Sequence, residues 1–166
     1  IDFEKAQFEI VPGVTSATAV SNLVGCVVTQ DFATISLSDY LVPWDEIEKR
    51  LENFSKLDIT LAIYNPISSK RINNFEKAIE ILRKYKAPDT LVVICENAYR
   101  EGERIIITNI RDFDKETVNM NCTIIVCPSN TKLIHNNNKT YVLVTRYYKI
   151  NIIGDKYEIT NTFGNF

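Results

Sequence analysis

Hydrophobic and polar positions along the chain follow two periods in turn, which predicts alternating strands and helices. Residues 33–39, ATISLSD, alternate apolar and polar side chains as a half-buried strand does. A helix then opens at Pro43, where the missing N–H costs nothing. Apolar residues recur along this helix at spacings of three and four and form one stripe: Trp44, Ile47, Leu51 and Phe54.

The same alternation continues toward the C-terminus. Residues 59–66 form an apolar run closed by Asn-Pro, a pair that forces the chain to turn. A second helical stripe follows and ends before Pro88. Its members are Ile72, Phe75, Ile79 and Leu82, and further apolar runs predict strands at 90–97, 103–110, 122–128 and 140–146. This order predicts a three-layer mixed α/β sheet with flanking helices, parallel at first and antiparallel near the end.

The segment EIVPGVTSATAVSNLVG, residues 9–25, has an unusual helix start. It predicts a strand over 8–11, a Pro-Gly turn and a helix that begins near Thr15 with small and hydroxyl side chains. A helix that only packed against a core would gain more from leucine at these positions. The composition therefore predicts that another group approaches the backbone closely at this corner.

Polar side chains gather directly after several of the predicted strands. The corners are residues 12–16, 36–39, 64–66, 96–98 and 129–131. In open α/β sheets, ligands bind beyond the carboxyl ends of the strands, so neighbouring parallel strands would bring these corners to one rim. Taken singly, each corner is also ordinary turn or cap chemistry, and Thr15 has the side chain of a helix cap. Their repetition at successive strand ends favours a binding site.

Composition and charge exclude some classes of partner. The 166 residues suit one domain, with 45% apolar and 24% charged residues. A net charge of -2 argues against a nucleic-acid partner, which usually requires a basic face. Every apolar run is much shorter than the roughly 20 residues that span a bilayer. We therefore expect a cytoplasmic protein without a nucleic-acid or membrane partner.

Cysteine, histidine and glycine positions exclude several kinds of site. The four cysteines form no C-x-x-C pair and are predicted to be reduced, buried thiols: Cys26, Cys95, Cys122 and Cys127. The single histidine, His135, lies in IHNNNK and is predicted to be a solvated loop residue, so we expect no metal site. No G-x-G, G-K-[ST] or G-x-S-x-G occurs, which excludes dinucleotide, P-loop and nucleophile-elbow motifs.

Four stretches of the chain resemble the second half of proteins in the tetrapyrrole methylase family. They are EIVPGVTSATAVSNLVG, DFATISLSDYLVPWDEIEKRL, AIYNPISSKR and ENAYREGERIIIT, and the resemblance runs from about Phe8 to Arg146. It implies the second of two α/β lobes, S-adenosylmethionine bound in the trough between the lobes, and a homodimer. The glycine-rich loop and G-G-D stretch of the first lobe are not in this sequence, which begins with Ile1. We therefore expect a piece of a longer protein, with residues 1–148 as the second lobe and 149–166 as a hairpin extension.

The resemblance also implies an activity and a set of site residues. The activity is methyl transfer from S-adenosylmethionine to ring carbon 17 of precorrin-3B, or of its cobalt form, with ring contraction, in cobalamin biosynthesis. Cofactor contacts are implied for Thr15, Ser16, Asn65 and Ala98. Because the substrate carries many carboxylates, cationic side chains are expected at the rim. The predicted substrate residues are Arg100 and Ser38, with Lys70, Arg71, Arg104 and Arg146 as further candidates.

The sequence departs from the family pattern at three places and leaves alternatives open. Ala98 replaces a common glycine, Cys127-Pro128 stands where a glycine precedes SNT, and residues 145–148 read TRYY instead of Pro-Arg-Gly-Tyr. No catalytic base is identified, and each cationic candidate is equally consistent with a solvated surface role. The other interpretations are a non-catalytic interaction or dimerisation domain, and a family member acting on another tetrapyrrole, a protein or RNA. The stretches ISLSDYLVPWDEI and NAYREGE favour the corrin methyltransferase.

Overall fold

The computed structural model describes residues 5–67 and 72–146, together with the backbone of residues 149–153 and 156–160. Its helices are α1 (Ser16–Val24), α2 (Trp44–Lys56) and α3 (Ile72–Tyr85), with a 3-10 turn at Lys115–Thr117. Its strands are β1 (Gly25–Cys26), β2 (Phe32–Ser36), β3 (Thr60–Tyr64), β4 (Leu91–Glu96), β5 (Arg104–Asn109), β6 (Cys122–Val126), β7 (Thr131–Asn136), β8 (Lys139–Val144), β9 (Lys149–Ile153) and β10 (Lys156–Thr160).

The central sheet has five strands in the order β2-β3-β6-β4-β5. Strands β2 and β3 are parallel, whereas β6 is antiparallel to both β3 and β4, and β5 is antiparallel to β4. Strands β2, β3 and β4 therefore run in one direction. We call the edge where they end, at Ser36, Tyr64 and Glu96, the carboxyl edge, and the edge where they begin the amino edge.

Both faces of this sheet are buried, which explains the continuous apolar runs in β3, β4 and β6. One face carries larger side chains that pack against α2 and α3, including Leu61, Ile63 and Ile94. The other face carries smaller side chains that pack against α1, including Ala62 and Val93. The layers are thus α1, sheet, and α2 with α3, and the predicted three-layer mixed α/β fold is confirmed.

A second sheet, in the order β1-β8-β7, connects the early part of the chain to its late part. Gly25 of β1 pairs in parallel with Val142 of β8. The φ of Gly25 is 133°, and a Cβ there would lie 2.5 Å from the Val142 carbonyl oxygen. Only glycine fits this close approach. Further along, the backbones of β9 and β10 pair antiparallel, while the division between lobe and extension at residue 148 stays a prediction.

Two secondary-structure predictions are wrong. The predicted strand at residues 8–11 has no regular structure, and the exposed fractions of Phe8 and Ile10 are 74% and 95%. An apolar run becomes a strand only when a neighbouring strand pairs with it, and the described chain pairs none with this segment. His135 lies in β7 instead of a loop, with its Nδ1 3.0 Å from Thr140 Oγ1 across the β7–β8 hairpin.

Burial was predicted for all four cysteines and is confirmed for three of them. Cys95, Cys122 and Cys127 are buried free thiols, but Cys26 is exposed at the end of the two-residue strand β1. Burial raises the pKa of the Cys95 thiol to about 11 and that of Cys127 to about 12. These buried thiols are therefore protonated and unreactive at neutral pH.

Candidate functional site

The carboxyl edge collects four of the five predicted corners. Ser36 at the end of β2 lies opposite Tyr64 at the end of β3. Glu96 ends β4 and lies opposite Cys122, the first residue of β6, which separates β4 from β3. Helix α1 starts at the same edge, because Thr15 Oγ1 lies 2.6 Å from Tyr64 Oη. The rim inferred from successive strand ends is therefore present in the structure.

Helix α1 is capped by a residue from another element. Thr15 is its N-cap residue, with φ -74° and ψ 150°, but its side chain makes no capping hydrogen bond. Instead the backbone N–H of Ala17 donates to Tyr64 Oη at 3.3 Å. Thr15 is exposed and Ser16 is half-buried. Thr15 thus occupies the N-cap position, but its side chain contacts Tyr64 instead of capping its own helix.

The corner after β3 is built on one serine hydroxyl. Asn65 Nδ2 donates to Ser36 Oγ at 3.0 Å, and the backbone N–H of Ser38 donates to the same oxygen at 3.2 Å. Asn65 is exposed and has a φ of 48°, a left-handed conformation that asparagine tolerates better than most residues. Ser36 thus holds the predicted residues Asn65 and Ser38 next to each other.

The corner after β4 is a tight turn with two left-handed residues, Asn97 at φ 51° and Tyr99 at φ 58°. The Tyr99 N–H donates to Glu103 Oε2 at 2.7 Å, and the Arg100 N–H donates to the Asn97 carbonyl at 2.8 Å. Ala98 between them is half-buried against the α1 face of the sheet. A left-handed backbone is strained for a bulky residue such as tyrosine, and strain of this kind clusters at functional sites.

The two arginines of this corner are held differently. Arg100 is exposed, and its Nη2 lies 3.4 Å from Asn97 Oδ1, a long hydrogen bond. Arg104 Nε donates to Glu96 Oε2 at 3.0 Å, and its Nη2 donates to the Thr117 carbonyl at 3.3 Å. The guanidinium of Arg104 is thus engaged in holding two loops together, which leaves Arg100 as the better substrate candidate.

Glu96 joins the end of β4 to the start of β6. Its Oε1 accepts a hydrogen bond from Asn119 Nδ2, and its Oε2 accepts from Arg104. These partners favour the charged carboxylate and hold the pKa of Glu96 below its ordinary value, with the Asn119 hydrogen bond as the main cause.

The fifth predicted corner, Ser129 to Thr131, lies at the wrong edge. Strand β6 runs antiparallel to its neighbours, so the residues after it emerge at the amino edge. There the Ser129 N–H donates to Asp58 Oδ1 at 2.8 Å, just before β3 begins. Arg146 is also at this edge, because the preceding Thr145 donates from Oγ1 to the Asn130 carbonyl at 2.9 Å. Lys70 and Arg71 fall outside the described residues.

Sequence reasoning missed the role of Tyr64. Tyr64 belongs to the predicted corner at residues 64–66, but of that corner only Asn65 is among the predicted site residues. Two signals were available. An even spacing from Ala62 places Tyr64 on the α1 face, and a tyrosine at a strand end has a hydroxyl that must find a partner.

Across residues 5–67 and 72–146, no group of three or more His, Cys, Asp or Glu side chains is arranged to hold a metal ion. Within the same part of the chain, every helix is too short or too polar to cross a membrane.

Residues 2–114 match the model of the tetrapyrrole (corrin/porphyrin) methylases. The chain belongs to the tetrapyrrole methylase family. It is 44% identical over 128 residues to the cobalamin biosynthesis protein CbiHC of Archaeoglobus fulgidus, covering 77% of this chain and 28% of that protein. It is 37% identical over 134 residues to a probable cobalt-factor III C(17)-methyltransferase of Methanocaldococcus jannaschii, covering 76% of this chain and 54% of the relative.

The architecture agrees with this membership. The crystal structure of the methyltransferase CobJ superposes with a TM-score of 0.74 at 30% identity, over 81% of this chain and 56% of that one. The tetrapyrrole methylase chain described here thus spans between about a quarter and a little over half of the length of these relatives.

Proposed function

We propose that this chain is the second lobe of an S-adenosylmethionine-dependent methyltransferase that methylates carbon 17 of precorrin-3B, or of its cobalt form, with ring contraction, in cobalamin biosynthesis. The names of the relatives from Archaeoglobus fulgidus and Methanocaldococcus jannaschii support this pathway and position. The observation that carries the proposal is the convergence of the α1 start with the ends of β2, β3 and β4 on one edge.

Thr15, Ser16, Asn65 and Ala98 form the S-adenosylmethionine side of this site. The start of α1 presents backbone N–H groups and the positive end of the helix dipole, which attract electron-rich ligand atoms. Gly13 has no atom within 4 Å of the position that a Cβ would take, so the approach to this helix start is open. When bound, S-adenosylmethionine supplies a methyl group that its positive sulfur already activates.

Arg100 and Ser38 form the substrate side. The exposed guanidinium of Arg100 is suited to a carboxylate of the macrocycle, and Ser38 is held at the same edge by Ser36. The contribution of these residues is orientation of the ring carbon against the methyl group, which supplies roughly 7–11 kcal/mol in well-aligned reactions. No residue of this chain is assigned as the base for ring contraction.

The assembly that we propose is a cytoplasmic homodimer, with residues 1–148 as a lobe and 149–166 as an extension. Large apolar side chains are exposed in the segments that lead into α1 and out of β2: Phe8, Ile10, Val11, Val14, Tyr40 and Leu41. Six large exposed apolar side chains in these segments support a second chain that covers them.

The test is a methyl-transfer assay on the full-length protein. Purified protein is incubated with S-adenosylmethionine and either precorrin-3B or its cobalt form, and the tetrapyrrole product is analysed by mass spectrometry. We expect the mass gain of one methyl group on one of these substrates, together with S-adenosylhomocysteine. Methylation of uroporphyrinogen III in a parallel reaction, with neither corrin precursor modified, would contradict the proposal.

A further inference from the structure

We infer that Tyr64 is a positioning residue for the methyl donor: its hydroxyl fixes the start of α1 and turns the Thr15 hydroxyl proton toward the ligand. This inference rests on the proposed function, because it concerns the same site. It adds a residue that the sequence pattern did not single out, and it assigns a direction to one hydrogen bond.

The geometry places one phenol oxygen between two parts of the helix start. Tyr64 Oη lies 2.6 Å from Thr15 Oγ1 and accepts the Ala17 N–H at 3.3 Å. Strand β3 and helix α1 are 47 to 49 residues apart along the chain at these contacts. The hydroxyl is therefore a tertiary link between the strand end and the helix, in the place where a local cap would normally act.

The rest of the tyrosine is held firmly enough to act as an anchor. Its ring packs against the buried cluster under α1, which contains Ala17, Val20, Ala62 and Val93. Ala98, from the corner after β4, packs against the same cluster. A ring fixed by packing keeps its hydroxyl at one position, and this position in turn sets where Thr15 lies.

The chemistry of the two hydroxyls sets the direction of their hydrogen bond. A phenol is a stronger hydrogen-bond donor than an aliphatic hydroxyl, because its oxygen releases a proton more readily. The Tyr64 oxygen already accepts from Ala17, so its single proton is available for Thr15 Oγ1. In this arrangement Thr15 is an acceptor toward Tyr64 and keeps its own proton as a donor. Thr15 is exposed, so a ligand that approaches the start of α1 can accept this proton.

The experiment measures the affinity of the full-length protein for S-adenosylhomocysteine by isothermal titration calorimetry, in wild type and in Tyr64→Phe. The substitution keeps the ring and removes only the hydroxyl. We expect a roughly five- to tenfold weaker affinity, the usual effect of one lost hydrogen bond. Tyr85→Phe is the matched control, since it removes another part-buried hydroxyl, which donates to Glu52 on α2. The control should bind as tightly as wild type.

Two substitutions of Thr15 test the positioning role against a purely structural one. Thr15→Ser keeps the hydroxyl and should bind like wild type, whereas Thr15→Val keeps the branched shape and should lose affinity to the same degree as Tyr64→Phe. The double variant Thr15→Val/Tyr64→Phe should be no weaker than the weaker single variant, because both changes break one unit. If Tyr64→Phe does not fold, Thr15→Val decides the matter. Wild-type affinity in Thr15→Val would overturn the positioning role, because the Thr15 hydroxyl would then contribute nothing to binding.

The outcomes separate this inference from the function on which it rests. Wild-type protein that does not bind S-adenosylhomocysteine overturns the proposed function, and the inference with it. Wild type that binds, with Tyr64→Phe binding equally well, overturns the positioning role alone. Strictly additive losses in the double variant would also overturn it, since Tyr64 and Thr15 would then act independently.

Discussion

The two edges of the central sheet carry the same kinds of polar residue but bond them differently. At the amino edge, polar side chains mostly bond main-chain groups: Asp58 accepts from the Ser129 N–H as well as from its hydroxyl, and Thr145 and Lys86 donate to the carbonyls of Asn130 and Leu57. At the carboxyl edge, polar side chains bond one another as well as main-chain groups.

The carboxyl-edge pairs are Thr15 with Tyr64, Asn65 with Ser36, and Glu96 with Arg104 and Asn119. A side chain that satisfies main-chain groups has a structural task, because an unpaired backbone group is costly. Exposed side-chain pairs can exchange partners when a ligand arrives. The difference teaches that the amino edge holds the loops in place and that the carboxyl edge is suited to binding.

The largest expected effect comes from adding bulk at the carboxyl edge. Thr15→Leu in the full-length protein should weaken S-adenosylhomocysteine binding at least about a hundredfold in calorimetry, because the leucine occupies the ligand's approach to α1. Its melting temperature without ligand should fall by only roughly 2–4 °C, from the lost hydrogen bond to Tyr64.

The matched control for this change is Thr140→Leu on the β7–β8 hairpin, which should bind like wild type. A Thr15→Leu protein that is strongly destabilised yet binds normally would mean that both edges are structural.

The next effect is on stability and belongs to the amino edge. Asp58→Ala removes the acceptor of the Ser129 N–H and hydroxyl, so thermal unfolding should show a loss of about 1.5–3 kcal/mol. Asp58→Asn keeps an oxygen for the N–H and should lose less. Binding of S-adenosylhomocysteine should stay at the wild-type value in both variants. A clear drop in affinity would instead assign a binding role to the amino edge.

The smallest effect concerns acid stability at the carboxyl edge. Because the folded pKa of Glu96 lies below its ordinary value of 4.5, the folded protein holds this carboxylate charged when the unfolded chain takes up a proton. The stabilisation is therefore present above pH 4.5 and is lost as the pH falls through the folded pKa.

In urea unfolding between about pH 6 and 3, wild type should lose stability more steeply than Glu96→Gln. Parallel pH profiles of the two proteins would show that the hydrogen bonds from Asn119 and Arg104 do not hold the carboxylate.

The sequence patterns predicted the helices and most strands because burial determines both. Apolar side chains mark the buried faces of two helices and three strands, namely α2, α3, β3, β4 and β6. The run at residues 8–11 looked the same but is exposed, since periodicity shows that a segment can pair and not whether a partner is present. Strand β7 was missed because its residues are mostly exposed and polar.

The site was predicted in part, and strand direction limited the rest. Three corners after strands and the start of α1 meet at the carboxyl edge as expected, since β2, β3 and β4 run the same way. Residues 129–131 were assigned to that edge because periodicity does not report whether a strand is parallel to its neighbours. Tyr64 was missed because its contact with Thr15 joins residues distant in the chain, and no local pattern encodes such a pair.

The position of β6 has a consequence for how the molecule is made. Residues 122–126 are the last of this sheet to be synthesised, yet they pair with β3 on one side and β4 on the other, in the middle. A growing chain that ends before Cys122 has two apolar strands whose facing edges are unpaired. Unpaired strand edges of this kind can pair with other chains and aggregate. Pairing them with β6 requires contacts between residues distant in the chain, which slows folding. The sheet of the nascent chain is therefore completed only when β6 has been synthesised and pairs with both β3 and β4.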